Sequence, residues 1–450
     1  MRQRSRPMRL LAVLLGLSLI AAACGDDDDD AEDGGGEDTE TTEAEGGDDP
    51  IAALQETGDA DPECEADTDG ELAIGGLLAT SGELGDLLGA PQVAGYQVAL
   101  DDINAAGGVL DQTTLDINQL DSGESPEEAA PQVESHIQDN VDVVLGSSAS
   151  EISRSVIDQI TDECIVMFSP SNTGPVFTTY DDGDMYFRTI AADILQGRVL
   201  AETAIDQGVQ SASIIYRQDD YGSGLSEFIA APFEEAGGSI ESNTAYDPEA
   251  TSFDAEVQEI VDADPDALFF VTFTEGAQIL QDLIEAGFSP ENKQIFFVEG
   301  NMSNEFTAGL TDPTVMEGIQ GTIPGSEVTE EFRARMLEKD PGLPAFTYGP
   351  ETYDAMVIIA LAAEAAESDQ ADLIAEQING VTSEGTACTT YAECREMVLA
   401  GEDIDYDGVS GRLEFARPGE PAAASYGVFG WTPEGEIDQD NPTYVETAIE

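Results

Sequence analysis

From Glu71 onward, short apolar runs alternate with stretches whose apolar residues recur every three or four positions. No other feature restricts the fold as much, because strands separated by helices lie parallel and are joined by right-handed crossovers. The spacing predicts strands over 72–79, 114–120, 141–145 and 164–168. It places Val93, Tyr96, Leu100 and Ile103 on one helical face that closes at Gly107-Gly108, with further helices near 127–139 and 152–161. After an extended segment at 186–190 the rhythm restarts, with strands over 212–216, 239–245, 267–273 and 294–298. Helices near 195–207, 224–236 and 276–286 separate them, the last carrying Ala277, Leu280, Leu283 and Ile284 along one side. Two such sets predict an α/β protein of two doubly wound parallel-sheet lobes.

Open α/β sheets take ligands outside the carboxyl ends of their strands. In the first set, Gly146-Ser147-Ser148-Ala149-Ser150 and Ser169-Pro170-Ser171-Asn172-Thr173 occupy such ends. Hydroxyls and free N–H groups at a helix start suit a carboxylate, which the helix dipole also favours. In the second set the ends are Asp219-Asp220-Tyr221-Gly222 and Glu299-Gly300. Anion donors on one side and a carboxylate on the other would hold a zwitterion. Each segment alone also reads as an ordinary Ser, Thr or Asp cap or turn. Their shared position is what points to a cleft.

The 450 residues hold 94 acidic and 15 basic side chains, a net charge of −79, while 41% hydrophobic residues still supply a core. That field excludes nucleic acid as a partner, and charge-driven binding to anionic lipid. One histidine (His136) and two lysines (Lys293, Lys339) leave little room for zinc sites, Ser-His-Asp triads or phosphate-cradling loops. His136 lies in a polar helical stretch and reads as solvated. Neither a Gly-x-Ser-x-Gly elbow nor a Gly-x-x-x-x-Gly-Lys loop occurs, and no cofactor is expected.

Arg2, Arg4, Arg6 and Arg9 precede an apolar run over 10–20, and Ala21-Ala22-Ala23 leads to Cys24. This is a secretory signal over 1–23 whose Ile-Ala-Ala-Ala-Cys end resembles a bacterial lipobox, so a lipid on Cys24 is expected. Residues 25–70 carry 21 acids and no base, which reads as a disordered acidic tether over 24–70. Cys64, Cys164, Cys388 and Cys394 remain, an even count suited to disulfides outside the cytoplasm. Three pairings are open. The five-residue gap favours Cys388 with Cys394, which leaves Cys64 for Cys164. A four-thiolate metal site is the rival and lacks paired Cys-x-x-Cys knuckles.

Several segments carry a family likeness. They are 74–89 (IGGLLATSGELGDLLG), 143–150 (VVLGSSAS), 168–175 (FSPSNTGP), 214–225 (IIYRQDDYGSGL), 297–300 (FVEG) and 426–435 (YGVFGWTPEG). In this order the chain resembles type I periplasmic binding proteins of the branched-chain amino-acid family, the extracellular receptors of ABC importers. The resemblance implies two lobes joined by a three-strand hinge: 71–190 with 323–418, and 191–322 with 419–450. It implies Ser150 as the hydroxyl on the ligand carboxylate, backbone groups of Ser171, and the Thr173 hydroxyl at the same end. It implies Tyr221 as the aromatic that closes from the other lobe and Glu299 as the acid on the α-ammonium. Leu88 and Phe273 stand where leucine-type binders carry tyrosines, so the side-chain pocket is altered. The expected partners are an amino-acid-like ligand and an ABC permease with separate ATPase subunits. The expected protein is an exported monomer, held to the membrane through its lipid alone.

Two rival functions stand beside this one: a receptor for a separate membrane signalling partner, and a carboxylate-based extracellular hydrolase. The hydrolase needs a matched acid pair, and none stands out by spacing. Asp403, Asp405, Asp407, Gly408 and Glu414 fit a calcium-loop pattern, but 412–415 reads as a strand where a helix should exit. Residues 71–450 hold 73 acidic and 11 basic side chains, which fits a protein working in high salt, where screening relieves self-repulsion. Unfolding or expansion on dialysis to low ionic strength is the expected outcome, and an unchanged melting temperature there would remove the idea.

Overall fold

The structure is a computed structural model that describes residues 49–449 apart from 63 and 344. The expected signal over 1–23, Cys24 and the first half of the tether lie outside the described residues. A first sheet holds β1 (Ile74–Leu77), β2 (Ile117–Gln119), β3 (Val143–Gly146), β4 (Val166–Ser169) and β5 (Tyr186–Arg188). Its order is β2-β1-β3-β4-β5, all parallel. Strands β1, β3 and β4 are buried along their whole length, which is why they read as continuous apolar runs. The helix Gly349–Ala366 is buried nearly all round and forms much of the core beneath this sheet.

The second sheet starts with β6 (Ser211–Arg217), β7 (Ser239–Tyr246), β8 (Ala267–Val271), β9 (Gln294–Phe297) and β10 (Gln320–Pro324). Two small pairs follow: β11 (Thr386–Cys388) with β12 (Ile404–Tyr406), and β13 (Phe415–Ala416) with β14 (Glu420–Pro421). The chain then returns to the second sheet as β15 (Ala423–Phe429) and β16 (Thr443–Ala448). The order is β16-β15-β10-β9-β8-β6-β7, with β15 antiparallel to both neighbours and the rest parallel. This antiparallel edge departs from the all-parallel expectation. Between the sheets the chain crosses after β5, after β10 and between β14 and β15.

Three sequence expectations need correction. The stretch from Asp49 to Gly70, read as tether, is packed on the body. Leu54 and Ala60 are buried, and the Asp369 carboxylate accepts from the backbone N–H of Asp69 (2.9 Å) and Gly70 (2.7 Å). Composition describes an average, and a few anchors suffice to fix so short a segment. His136 is fully buried rather than solvated: Nε2 lies 2.9 Å from the Gly76 carbonyl, and burial pushes its pKa down. Gly75 makes room for the ring, since a Cβ there would come within 2.6 Å of Nδ1. Residues 412–414 are not a strand, which is confined to Phe415–Ala416.

The calcium-pattern segment runs partly as β12, and the loop after it is held from inside. Buried Asp354 accepts from the Tyr406 hydroxyl (2.7 Å), Val409 N (3.0 Å) and Ser410 N (2.7 Å). Disulfides join Cys64 to Cys164 (Cα–Cα 5.9 Å) and Cys388 to Cys394 (Cα–Cα 5.5 Å).

Arg188, at the end of β5, is fully buried and pairs with Glu420 on β14. Its Nη1 donates to the carbonyls of Asn172 (2.6 Å) and Gly174 (2.9 Å), and its Nη2 to Thr178 Oγ1 (3.0 Å). Removing the guanidinium alone would leave Glu420 buried without its counter-charge, at a cost of about 3–5 kcal/mol. Arg188→Met should therefore lower stability in denaturant melts by that amount. The double variant Arg188→Met, Glu420→Leu should cost less than the single one, and equal costs would refute the pairing argument.

Candidate functional site

The loops at the carboxyl ends of both sheets meet at one narrow cavity of about 20 Å³. Leu88, Ser150, Ser171 and Thr173 line it from the first sheet's side, and Tyr221, Phe273 and Glu299 from the second's. All seven ligand-binding residues expected from sequence thus border a single space. Ser148, Ala149, Gly300 and Tyr348 complete the lining, which includes no Lys or Arg.

On the first side the wall is built from hydroxyls. Ser148 Oγ donates to Gln92 Oε1 (2.6 Å), Gln92 Nε2 donates to Ser171 Oγ (2.7 Å), and Ser171 Oγ donates to the Ser148 carbonyl (2.8 Å). Ser171 N–H is also engaged, donating to Ser169 Oγ (3.3 Å). Ser171 therefore spends its hydroxyl and its N–H on the wall itself. Ser150 opens the helix Ser150–Thr161 and accepts from Gly174 N–H (3.2 Å), which leaves its own proton to donate. That proton and the helix N-terminus make the anion-favouring end of the cavity.

On the second side, Tyr221 follows the N-cap Asp219 of the helix Asp220–Glu235 and stacks on Phe273, with ring centroids 5.5 Å apart. Arg217 lies 3.9 Å from the Phe273 ring centroid and pairs with Asp219 and Glu275. Gly300 is needed beside Glu299, since a Cβ there would come within 2.5 Å of the Phe273 ring. Glu299 is buried and accepts from Gln196 Nε2, which also donates to Thr322 Oγ1 (2.9 Å).

A second carboxylate, missed by sequence reasoning, shares this region. Asp193 opens the helix Asp193–Asp206, is fully buried, and has neither oxygen in a full hydrogen bond. Its N–H donates to the Thr173 carbonyl (2.8 Å). Burial and then the Glu299 charge push Asp193 well above the usual carboxylate range, against the pull of the Thr173 hydroxyl and Arg188. The Thr173 hydroxyl, which the family likeness implies for a ligand carboxylate, lines the cavity and also lies near Asp193. Burial pushes Glu299 up too, while the Gln196 hydrogen bond and then the nearby Tyr221 and Tyr348 hydroxyls draw it back. In sequence, Asp193 and Gln196 are two polar residues in a helical stretch, indistinguishable from a solvated face. Gln92 and Tyr348 carried no signal either.

One buried acid lining the cavity, a second buried near it and no cation in the lining suit a cationic group brought by a ligand. A hydroxyl and a helix start on the other wall suit its carboxylate.

A family model described as periplasmic binding protein matches residues 71–432. The leucine-, isoleucine-, valine-, threonine- and alanine-binding protein of Pseudomonas aeruginosa is 26% identical over 351 residues, 74% of this chain and 88% of that protein. The chemotactic signal transduction system substrate-binding protein BasB of Halobacterium salinarum is 21% identical over 363 residues, 78% of this chain and 84% of that protein. Among solved structures, the leucine-binding protein LivK of Thermotoga maritima superposes with a TM-score of 0.68 at 22% identity, covering 83% of this chain and 98% of that one. The chain belongs to the type I periplasmic binding proteins of the branched-chain amino-acid family. Members are extracytoplasmic ligand binders, and this chain is a substrate-binding protein rather than an enzyme. Among the described residues, no helix is long and apolar enough to cross a membrane.

The carboxyl pair gives the empty protein a pH dependence. Both acids hold protons more tightly folded than unfolded, so they leave stability intact below about pH 4, where both states are protonated. Stability is then lost as pH rises through the pair's joint folded range. Glu351, pushed up by burial to about 8, adds to the same slope. The ligand-free protein should melt lower at pH 8 than at pH 5. Asp193→Asn should shrink that loss and raise Tm at pH 8 by about 2–4 °C in calorimetry. A lowered Tm at pH 8 would show that the Asp193 charge stabilises the fold.

Proposed function

We propose that this chain is a lipid-anchored receptor of an ABC importer that captures an amino acid in the interlobe cleft and delivers it to a permease. The observation that carries this reading is the meeting of Ser150 with Glu299 around one space, with no cation in its lining and a second buried acid, Asp193, near enough to feel the Glu299 charge. In this reading the lobes are 71–190 with 323–418 and 191–322 with 419–450, hinged at the three crossovers. The ligand carboxylate meets Ser150 and the start of the helix Ser150–Thr161. Its α-ammonium takes up the charge of Glu299, with Asp193 behind it. Closing brings Tyr221 and Phe273 over the ligand, and the exclusion of water strengthens each charge-assisted contact. A backbone-recognition set of this kind supports an α-amino acid, and the Pseudomonas aeruginosa relative named for five of them supports the class. The lipid sits on Cys24, and the acidic stretch that follows spaces the body from the membrane.

A second reading, a receptor for a separate signalling partner, draws support from the Halobacterium salinarum relative with its chemotactic name. The two readings share one ligand site and differ in the membrane partner, which crosslinking of ligand-loaded protein in its native membrane would identify.

Glu299→Gln tests the site. It should weaken amino-acid binding by about 3–5 kcal/mol in titration calorimetry, because the ammonium would be buried against a neutral amide. Unchanged affinity would refute the role, and an intact mass without lipid on Cys24 would refute the anchor.

A further inference from the structure

The cavity that gathers the head-group residues has about 20 Å³, room for little more than one water. Beside it lies a chamber of about 310 Å³, within the range of small-molecule sites. Tyr348 lines both spaces. It is buried and holds a left-handed backbone (φ 62°), a conformation that a bulky side chain seldom adopts and that recurs where a binding site constrains the chain. Its ring is thus a partition between the head-group cavity and the chamber.

Ile323, Phe346, Phe429 and Tyr444 give the chamber its apolar and aromatic wall, and Asn304, Arg333, Glu351, Glu436 and Gln439 are among its polar lining. Its second sheet contributes through Phe429 and Tyr444, and its other side through the segment before the helix Gly349–Ala366, so it draws on the same two sides as the head-group cavity. One of the polar groups is Glu351, whose Oε2 is buried with no partner. Gly325 makes room for this carboxyl, since a Cβ there would come within 2.6 Å of Oε1. Glu351 also borders a rear cavity of about 290 Å³, but no aromatic ring lines that space. A buried acceptor without a donor is costly and is satisfied when a ligand supplies one. Arg333, placed 5.4 Å from the Phe346 ring centroid, and Glu436 bring one charge of each sign to the lining, and a neutral donor such as a phenol needs neither.

We propose that this chamber seats the ligand's side chain, and that the ligand is an amino acid whose side chain is aromatic and ends in a hydrogen-bond donor. Tyr348 turns aside as the side chain enters, and Glu351 accepts from its tip. This rests on the head-group reading above, which places the ligand's two charges at Ser150 and Glu299.

Calorimetric titration of the full chain with alanine, valine, leucine, phenylalanine and tyrosine tests it. Tyrosine should bind tightest, at least tenfold tighter than alanine. Val328→Trp and, separately, Asn304→Trp fill the chamber from two sides and should erase the gap between tyrosine and alanine. Glu351→Leu should erase the gap between tyrosine and phenylalanine. Leucine or a smaller amino acid binding as tightly as tyrosine would overturn the proposal, as would a gap that survives in a folded filling variant. If those amino acids bind and lose affinity in Glu299→Gln without any aromatic preference, the chamber proposal alone falls. If none of the five binds, the head-group reading falls and takes the chamber with it.

Discussion

The fully buried Arg188 guanidinium fixes the geometry on which the candidate site depends. It draws its donors' partners from three places: Glu420 on β14, the carbonyls of Asn172 and Gly174, and the Thr178 hydroxyl. Asn172 and Gly174 flank Thr173, and Gly174 N–H bonds Ser150. One side chain therefore sets the loop after β4 against the loop after β3, and ties both to the last crossover into the second sheet. An arginine suits this work because its planar fork offers five donors in fixed directions and stays charged when buried. A lysine offers a point charge and could not serve two carbonyls, a hydroxyl and a carboxylate at those angles.

Against that anchored wall, the second sheet presents acids rather than bases. Asp193 and Glu299 are buried close enough for the Glu299 charge to raise Asp193, and the relief of Glu299 comes from neutral groups, the Gln196 amide first and the nearby Tyr221 and Tyr348 hydroxyls after it. Neutral donors moderate a carboxylate without cancelling its charge. The arrangement costs stability in the empty protein and leaves a field that an incoming ammonium can discharge. Binding sites often hold such unrelieved charge, because affinity is greatest where the free site is least satisfied.

How much of this was legible in the sequence differs by element. Buried parallel strands announce themselves, since β3, β4 and β8 are unbroken apolar runs with helices between, and the strand-end rule then led to Ser150, Thr173, Tyr221 and Glu299. The helix Gly276–Glu285 was readable because its apolar residues keep to one side. The antiparallel edge β15–β16 was not, because its residues are half-buried and mixed in character. Asp193, Gln196 and Gln92 were invisible for a related reason: a polar residue's burial depends on what packs over it from distant segments. His136 misled in the same way, since its polar helix turns the ring inward against Gly76.

The scarcity of basic residues ties these observations together. With 73 acids and 11 bases over 71–450, each cation placed inside the fold is one withheld from a surface that repels itself. Two of them, Arg188 and Arg217, are nevertheless spent at the rim of the site, one organising the loops that carry Ser150 and Thr173, the other held by Asp219 and Glu275 beside Phe273. Both are pinned by their own carboxylates, and the partial pull of Arg188 on Asp193 does not overcome burial and the Glu299 charge. A fold that wanted those two acids paired internally could have set a third arginine there, or replaced the acids by amides at little structural cost. Their persistence as an unpaired couple is most simply understood if the missing positive charge belongs to the ligand.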